Sequence, residues 1–341
     1  MRTFYLSSCA LNVAAAALLA GCGGAQPASN LDQTTAPAAH MQAVRYIYAA
    51  NEVRNGSQWV SSVNVYSALL NGNVPPVAVI SGAQTQLTQV NGIVVNAAGE
   101  IYVVDTDTNE IVGFPAGSNG DVAPNAVISG SNTDLSWPVG LAIDSSGDLY
   151  VANCGSDCRG SILPSVLEFS ANSNGNVAPI RNISGSATQL SHANEVALDS
   201  AGNIYVSNIS GGNTIDVFDS TANGNVSPSR VISGSQTLLD GPLGIAVDSH
   251  GIYADSDYGS YIERFKLDAD GNVPPVAAIS GSRTRIAGPD GITVDALGAI
   301  YSTSRHGILK FGAYAHGNVR PAGRIAGSNT QLIGVSFLFV K

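Results

Sequence analysis

One twelve-residue block organises the 341-residue chain. The segment Asn71-Gly-Asn-Val-Pro-Pro-Val-Ala-Val-Ile-Ser-Gly82 returns, slightly altered, at 119–130, 174–185, 223–234, 270–281 and 316–327. Its Ile-Ser-Gly ending starts at Ile80, Ile128, Ile183, Ile232 and Ile279, with Ile325-Ala-Gly in the last copy. Successive steps are therefore 48, 55, 49, 47 and 46 residues. That period is too long for paired-helix repeats such as ankyrin or tetratricopeptide units and suits one blade of a β-propeller.

Each period holds further apolar runs. Leu243-Gly-Ile-Ala-Val-Asp248 is followed by a turn and Ile252-Tyr-Ala. Val139 to Asp144 with Leu149 to Asn153, and Asn194 to Asp199 with Ile204 to Asn208, repeat the scheme. The Asp-Ser-x-Gly turn between such runs has a physical logic: the Asp oxygen accepts an N–H two residues on, and Gly supplies positive φ. A third run follows, as in Glu110 to Phe114, Val166 to Phe169, Thr214 to Phe218, Tyr261 to Phe265 and Gly307 to Phe311. Apolar and polar residues alternate there, which predicts a half-buried strand. The Asn-Gly-Asn-Val-x-Pro block turns the chain, and the Pro before the fourth run suits a sheet edge. The reading is all-β: six blades of four antiparallel strands.

The two ends are incomplete in complementary ways. Residues Val44 to Asn51 match a second strand, Val63 to Tyr66 a third and Val77 to Ser81 a fourth; the first is missing. Gly334-Val-Ser-Phe337 aligns with Gly244-Ile-Ala-Val247, a first strand. The C-terminal strand is therefore expected to complete the N-terminal blade and remove the open edges. One propeller domain then spans 44–341.

Composition excludes other classes. Only 12% of residues are charged, with 15 Lys+Arg against 25 Asp+Glu and a net charge of −10. An acidic chain without a basic stripe lacks the means to neutralise phosphates, so no nucleic-acid partner is expected. Residues 1–21 read as an export signal: Arg2, then the apolar run Leu11 to Leu19, too short to span a bilayer. Leu19-Ala-Gly-Cys22 resembles the bacterial lipobox, which implies lipidation at Cys22. Residues 22–43 then form a lipidated, flexible Gly/Ala/Pro/Ser tether. Gly23 after that cysteine implies the outer membrane. The expected location is the cell envelope, facing periplasm or cell surface, as a monomer.

The unit Gly-Ile-Ala-Val-Asp-Ser-x-Gly-x-Ile-Tyr-Val followed by Ile-x-Val-Phe resembles the NHL repeat, across essentially the whole mature domain. The resemblance implies a six-bladed propeller and says little of function. Related propellers include binding modules and metal-dependent lactonases of the gluconolactonase type. The first kind makes this an envelope binding or scaffold module for a protein, peptide or glycan. The second makes it a divalent-metal hydrolase.

Candidate residues cluster in loops expected to share one face, those joining fourth to first and second to third strands. Glu195 stands where other repeats carry Gly92, Gly140, Gly244 and Gly291. With Asn91, Asn194 and Asp290 it resembles the oxygen donor set of the lactonase metal site, suited to Ca²⁺ or another hard divalent cation. The same groups would otherwise only solvate the channel rim. Asp105-Thr-Asp-Thr-Asn109 and Asp255-Ser-Asp-Tyr-Gly259 carry alternating oxygens but lack the rest of a Ca²⁺ loop. Trp137, Tyr258, Tyr261, Arg305 and His306 could form an aromatic and polar binding surface. Cys154-Gly-Ser-Asp-Cys158 lies in the longest repeat, and an oxidising destination predicts a local disulfide. A zinc site there would need two more ligands, and none is adjacent in sequence. No nucleophile motif of the hydrolase type is present.

Overall fold

The computed structural model describes residues 45–55, 58–69, 71–305 and 307–341. Six four-stranded antiparallel sheets make up this region. Blade two is built from Val90–Val95, Ile101–Asp105, Glu110–Phe114 and Ala126–Ile128. Blade three follows with Pro138–Ile143, Leu149–Asn153, Ser165–Phe169 and Arg181–Ser184. Blade four comprises Ala193–Leu198, Ile204–Asn208, Thr214–Phe218 and Arg230–Ile232. Pro242–Asp248, Gly251–Ser256, Tyr261–Phe265 and Ala277–Ile279 form blade five. Ile292–Val294, Ile300–Ser304, Gly307–Phe311 and Gly323–Ile325 form blade six.

Blade one is composite. Its strands Tyr46–Asn55, Gln58–Ser67 and Ala78–Ile80 are joined on the inner side by Val335–Val340. Ile47 pairs with Val340 and Ala50 with Phe337. The N–H and C=O of Tyr46 and Lys341 exchange hydrogen bonds at 2.9 and 3.0 Å. The innermost strands touch in order around the ring, and that of blade six also touches Val335–Val340, so the circle is closed.

The core lies between blades. Phe114, Phe169, Phe218, Phe265 and Phe311 end the third strands fully buried, and Tyr66 takes this place in blade one. The half-buried expectation for third strands fails. Most of their residues are buried, because a propeller covers both faces of each sheet with neighbouring blades. Polar members of the alternation are buried with them: Asn64, Glu168, Asp216 and Glu263.

First-to-second turns follow the Asp logic. Asp144, Asp199 and Asp295 accept the N–H two residues on at 2.8–2.9 Å. The Asn-Gly-Asn block does more than turn the chain. Its first Asn or Asp accepts the N–H of a residue in the preceding blade's fourth strand, as Asn119 does from Val79 and Asn174 from Val127. Its third residue accepts from the turn after the preceding Ile-Ser-Gly, as Asn176 does from Asn132 at 2.8 Å and Asn272 from Gln236 at 2.8 Å. Every consecutive pair of blades carries the third-residue bond, the closing pair through Asn73 and Asn329. The Gly of each block also bridges the preceding fourth-strand Ile. A Cβ on Gly130, whose φ is +116°, would lie 2.7 Å from the Asn176 carboxamide, which is why the triplet ends in Gly.

Candidate functional site

Second-to-third loops and fourth-to-first links share one face because the end of each second strand binds the link before it. Asp105 accepts Thr88 Oγ1 at 2.6 Å and Gln89 N at 3.1 Å. Asn153 accepts Ser136 N at 2.8 Å, Asn208 accepts Ser191 N at 3.0 Å, and Asn51 accepts Ile333 N at 2.9 Å. The oxygens of Asp105 are thus committed to the chain itself.

A channel of about 250 Å³ opens along the innermost strands. Most side chains along it are apolar, with Ile93, Leu141, Val196, Ile245 and Phe337 from five blades, while polar atoms contribute a large part of its surface; Glu195 is the acidic residue among the lining groups. The innermost strands lose register at Val90/Ile93, Ala193/Val196 and Pro242/Ile245. Such bulges re-aim side chains and are frequent near sites. Asn91, Asn194 and Glu195 sit inside two of them.

Each of these three is bonded within the ring. Asn91 donates to Thr106 Oγ1 at 2.6 Å, which donates in turn to Pro138 O of blade three at 2.7 Å. Asn194 donates to Leu243 O of blade five at 2.9 Å, and Ser207 Oγ donates to the same oxygen. Glu195 Oε1 accepts Leu141 N of blade three at 3.1 Å and Val196 N at 3.0 Å. Gly140 makes this close approach possible, since a Cβ there would meet Glu195 Cα at 2.5 Å. The backbone N–H groups of Asp290 and Gly291 both donate to Thr303 Oγ1.

Acidic side chains of blades four, five, six and one lie near enough to influence one another, and Glu195 among them lines the channel. Burial pushes Glu195 up to about 8. Asp255 is fully buried, accepts Gly244 N at 2.8 Å through Oδ1, and has no partner for Oδ2. Burial, aided by Asp290, Glu195 and Asp257, holds its pKa well above the usual carboxylate range. Asp290 rises to about 7 through burial and the Asp257 charge, opposed by Arg305. Glu52 rises to about 7 through burial and the charges of Asp290, Asp105 and Asp107, and its Oε2 has no hydrogen-bond partner among the described residues. Among the described residues, no three carboxylates bring ligand oxygens within 4.8 Å of one another.

Glu52 was not singled out in the sequence, and Asp255 was named only as the start of an alternating-oxygen loop, whereas it lies buried in the second strand of blade five. Asp255 carries a visible signal: it aligns with Ala50, Val104, Ala152, Ser207 and Thr303, where no other blade has a charge. Glu52 gives none, because blade one's first strand lies at the other end of the chain.

The aromatic and polar residues fall in two sectors. Trp137, in the link to blade three, has Arg159 stacked 5.3 Å from its ring centroid, and its backbone N–H donates to Asn109 Oδ1. Across the ring, exposed Tyr258 covers Gly241, and half-buried Tyr261 lies beneath Gly259. There Arg305 and Asp257 flank Gly288. Cys154 and Cys158 are disulfide-bonded, in the second-to-third loop of blade three. Cys22 and His306 lie outside the described residues.

Solved structures resemble this ring at low identity. A protein of unknown function from Bacteroides caccae aligns with TM-score 0.59 at 10% identity, covering 87% of this chain and 98% of the other. A chain in a nidogen/laminin complex gives 0.58 at 12% identity, with 87% and 98% covered. A catalytically inactive virginiamycin B lyase from Staphylococcus aureus, crystallised with quinupristin, gives 0.50 at 12% identity, with 77% and 80% covered. These likenesses show the β-propeller fold. No protein-family model matches the chain. No curated protein matches it in sequence.

Proposed function

We propose that this chain is an exported binding or scaffold propeller, with NHL-like repeats, held to a bacterial outer membrane through lipidated Cys22. Its partner is a protein or peptide segment bearing cationic side chains. The observation that carries this reading is the contrast within one face. Its Asn, Ser and Thr side chains fasten blades to one another, while acidic side chains of blades four, five, six and one, from Glu195 to Glu52, gather beside a channel lined mostly by apolar side chains, with Arg305 as a nearby cation. A cationic group reaching these side chains would ionise carboxylates that burial holds protonated, gaining charge-assisted hydrogen bonds. One solved neighbour is a chain of a protein–protein complex, which agrees with use of this fold for protein binding.

Two variant sets test the reading. One carries Trp137→Ala with Arg159→Ala; the other carries Asp257→Asn, Tyr258→Ala and Asp290→Asn. Partners captured from envelope extract by the wild type should be lost with one set, most plainly the second. Unchanged capture by both would overturn the binding surface. The divalent-metal hydrolase is the weaker reading, because no three described carboxylates converge within 4.8 Å and Glu195 Oε1 already accepts two backbone N–H groups, although the Asn91 and Asn194 bonds use Nδ2 and leave Oδ1 uncommitted. Stoichiometric metal in purified protein, with lactone turnover abolished by Glu195→Gln, would restore it.

A further inference from the structure

Cys154 and Cys158 have no second pair of zinc ligands nearby in sequence, but the fold supplies a third ligand from another blade. His192, in the link entering blade four, places Nε2 3.2 Å from Cys158 Sγ. The two sulfurs and an imidazole nitrogen lie within 4.8 Å of one another. The arrangement is held from both sides. Asp157, inside the Cys-x₃-Cys loop, accepts the His192 backbone N–H at 2.9 Å. Cys154 N donates to Trp137 O at 3.0 Å and Gly155 N to Ser136 O at 2.9 Å, seating the loop on the link before blade three.

We propose that opening the Cys154–Cys158 bond converts this corner into a three-ligand site for a thiophilic divalent cation of the zinc type. A dithiol delivers two electrons and two protons, cleaves the S–S bond to two thiols, and leaves as its own disulfide. The cation then displaces both thiol protons and binds two thiolates and the neutral imidazole. Tetrahedral Zn–S bonds of about 2.3 Å and Zn–N bonds of about 2.0–2.1 Å require a sulfur–nitrogen separation of roughly 3.5 Å. The His192–Cys158 pair already stands close to that. The sulfurs must part to about 3.7 Å by the same geometry, and the Cα atoms, 5.7 Å apart, leave room for this by side-chain rotation. Cys154 is buried while Cys158 and His192 are half-buried, so the fourth coordination position faces outward, open to water or an external ligand. The site is independent of what the channel mouth binds.

Cobalt(II) is the probe, in the full-length chain carrying Cys9→Ser and Cys22→Ser so that only the two loop cysteines remain. Reduction uses a phosphine, which takes oxygen from water and does not compete for metal. The reduced protein should take up one equivalent with thiolate-to-cobalt charge-transfer absorption and tetrahedral d–d bands, all displaced by zinc. The oxidised protein should show neither. His192→Asn keeps a residue that tolerates the positive φ of +56° at this position, and should weaken binding by about tenfold or more. Cys158→Ser should abolish the charge-transfer band. The proposal is overturned if the reduced protein gives no such band, if reduced His192→Asn binds as tightly, or if reduction unfolds the ring that brings the two blades together.

Discussion

Glu195 shows what a single exception in a repeat can and cannot reveal. A glutamate in a column of glycines is conspicuous in the sequence. Its use is not, because the partner N–H belongs to Leu141, 54 residues earlier, on a blade whose position only the closed ring defines. Its folded-state pKa of about 8 stands above the ordinary 4.5. Between those values the folded chain holds a proton that the unfolded chain has lost, so stability falls as pH rises through this window. Glu52 and Asp290, at about 7, add the same sign over the lower part of it. Thermal melts should therefore give a Tm several degrees higher at pH 6 than at pH 8.5, on the scale of a few degrees per kcal/mol. Glu195→Gln retains an acceptor for Leu141 and Val196 and should flatten that slope; a slope unchanged in the variant would mean that other groups set it. Gly140→Ala tests the same contact from the opposite side. A Cβ meeting Glu195 Cα at 2.5 Å forces two innermost strands apart, which should cost about 1–3 kcal/mol of unfolding free energy in denaturant titrations.

At the scale of elements, the repeated block has a second role beside the turn. Asn-Gly-Asn was legible as a turn, since Gly and Asn carry local turn chemistry that needs no tertiary knowledge. The bonds it makes across the blade boundary were not, because they join residues 35–47 positions apart within the chain. The Gly-x-x-Thr stretch, which follows Ile-Ser five times and Ile-Ala once, carries the complementary half. Thr133 and Thr284, buried, each return a hydroxyl bond to the Gly three residues earlier at 2.8 Å. Asn176→Ala removes the acceptor for Asn132 N. By analogy with lost helix caps it should cost about 0.5–2 kcal/mol. Asn176→Asp should cost little, because Asp121 already fills that position in blade two, accepting Gln84 N at 2.7 Å. Equal losses in the two variants, measured by chemical denaturation, would show that the side-chain oxygen is not what matters. The half-buried pattern of the third strands misled for a related reason. Alternation reports which residues are polar, but a blade has no solvent face, so Asp216 and Glu263 are buried with partners Asn208 and Ser256 instead of facing water.

At the scale of the whole molecule, the ring was legible because its ends are complementary: three strands without a first, and a first without the other three. Nothing about the channel's chemistry followed from that count, since the acidic side chains beside it come from blades four, five, six and one. Closure rests on the pairing of Val335–Val340 with Tyr46–Asn55, on the Tyr66 hydroxyl bonded to Thr330 O, and on an Arg45–Asp295 ion pair at 2.7 Å between blades one and six. A chain ending at Gly334 would leave blade one with an unpaired inner edge lined by Ala49 and Ala50, both fully buried in the intact ring. It should lose its cooperative melt and self-associate in sedimentation, as exposed edges do. Truncation alone cannot separate loss of closure from loss of core. A permuted chain can. Lys341 lies beside Tyr46 in the pairing, as Asp144 lies near Asp148 across a first-to-second turn. Joining Lys341 to Arg45 through an Asp-Ser-Ser-Gly turn copied from residues 144–147, and reopening the chain in the exposed Pro-Ala-Gly connector at 115–117, ahead of the fastening block, keeps every strand and moves the break to blade two. That permutant should melt cooperatively within a few degrees of the parent. If it does not fold while the parent does, the seam in blade one is required for assembly and is more than the place where the chain happens to end.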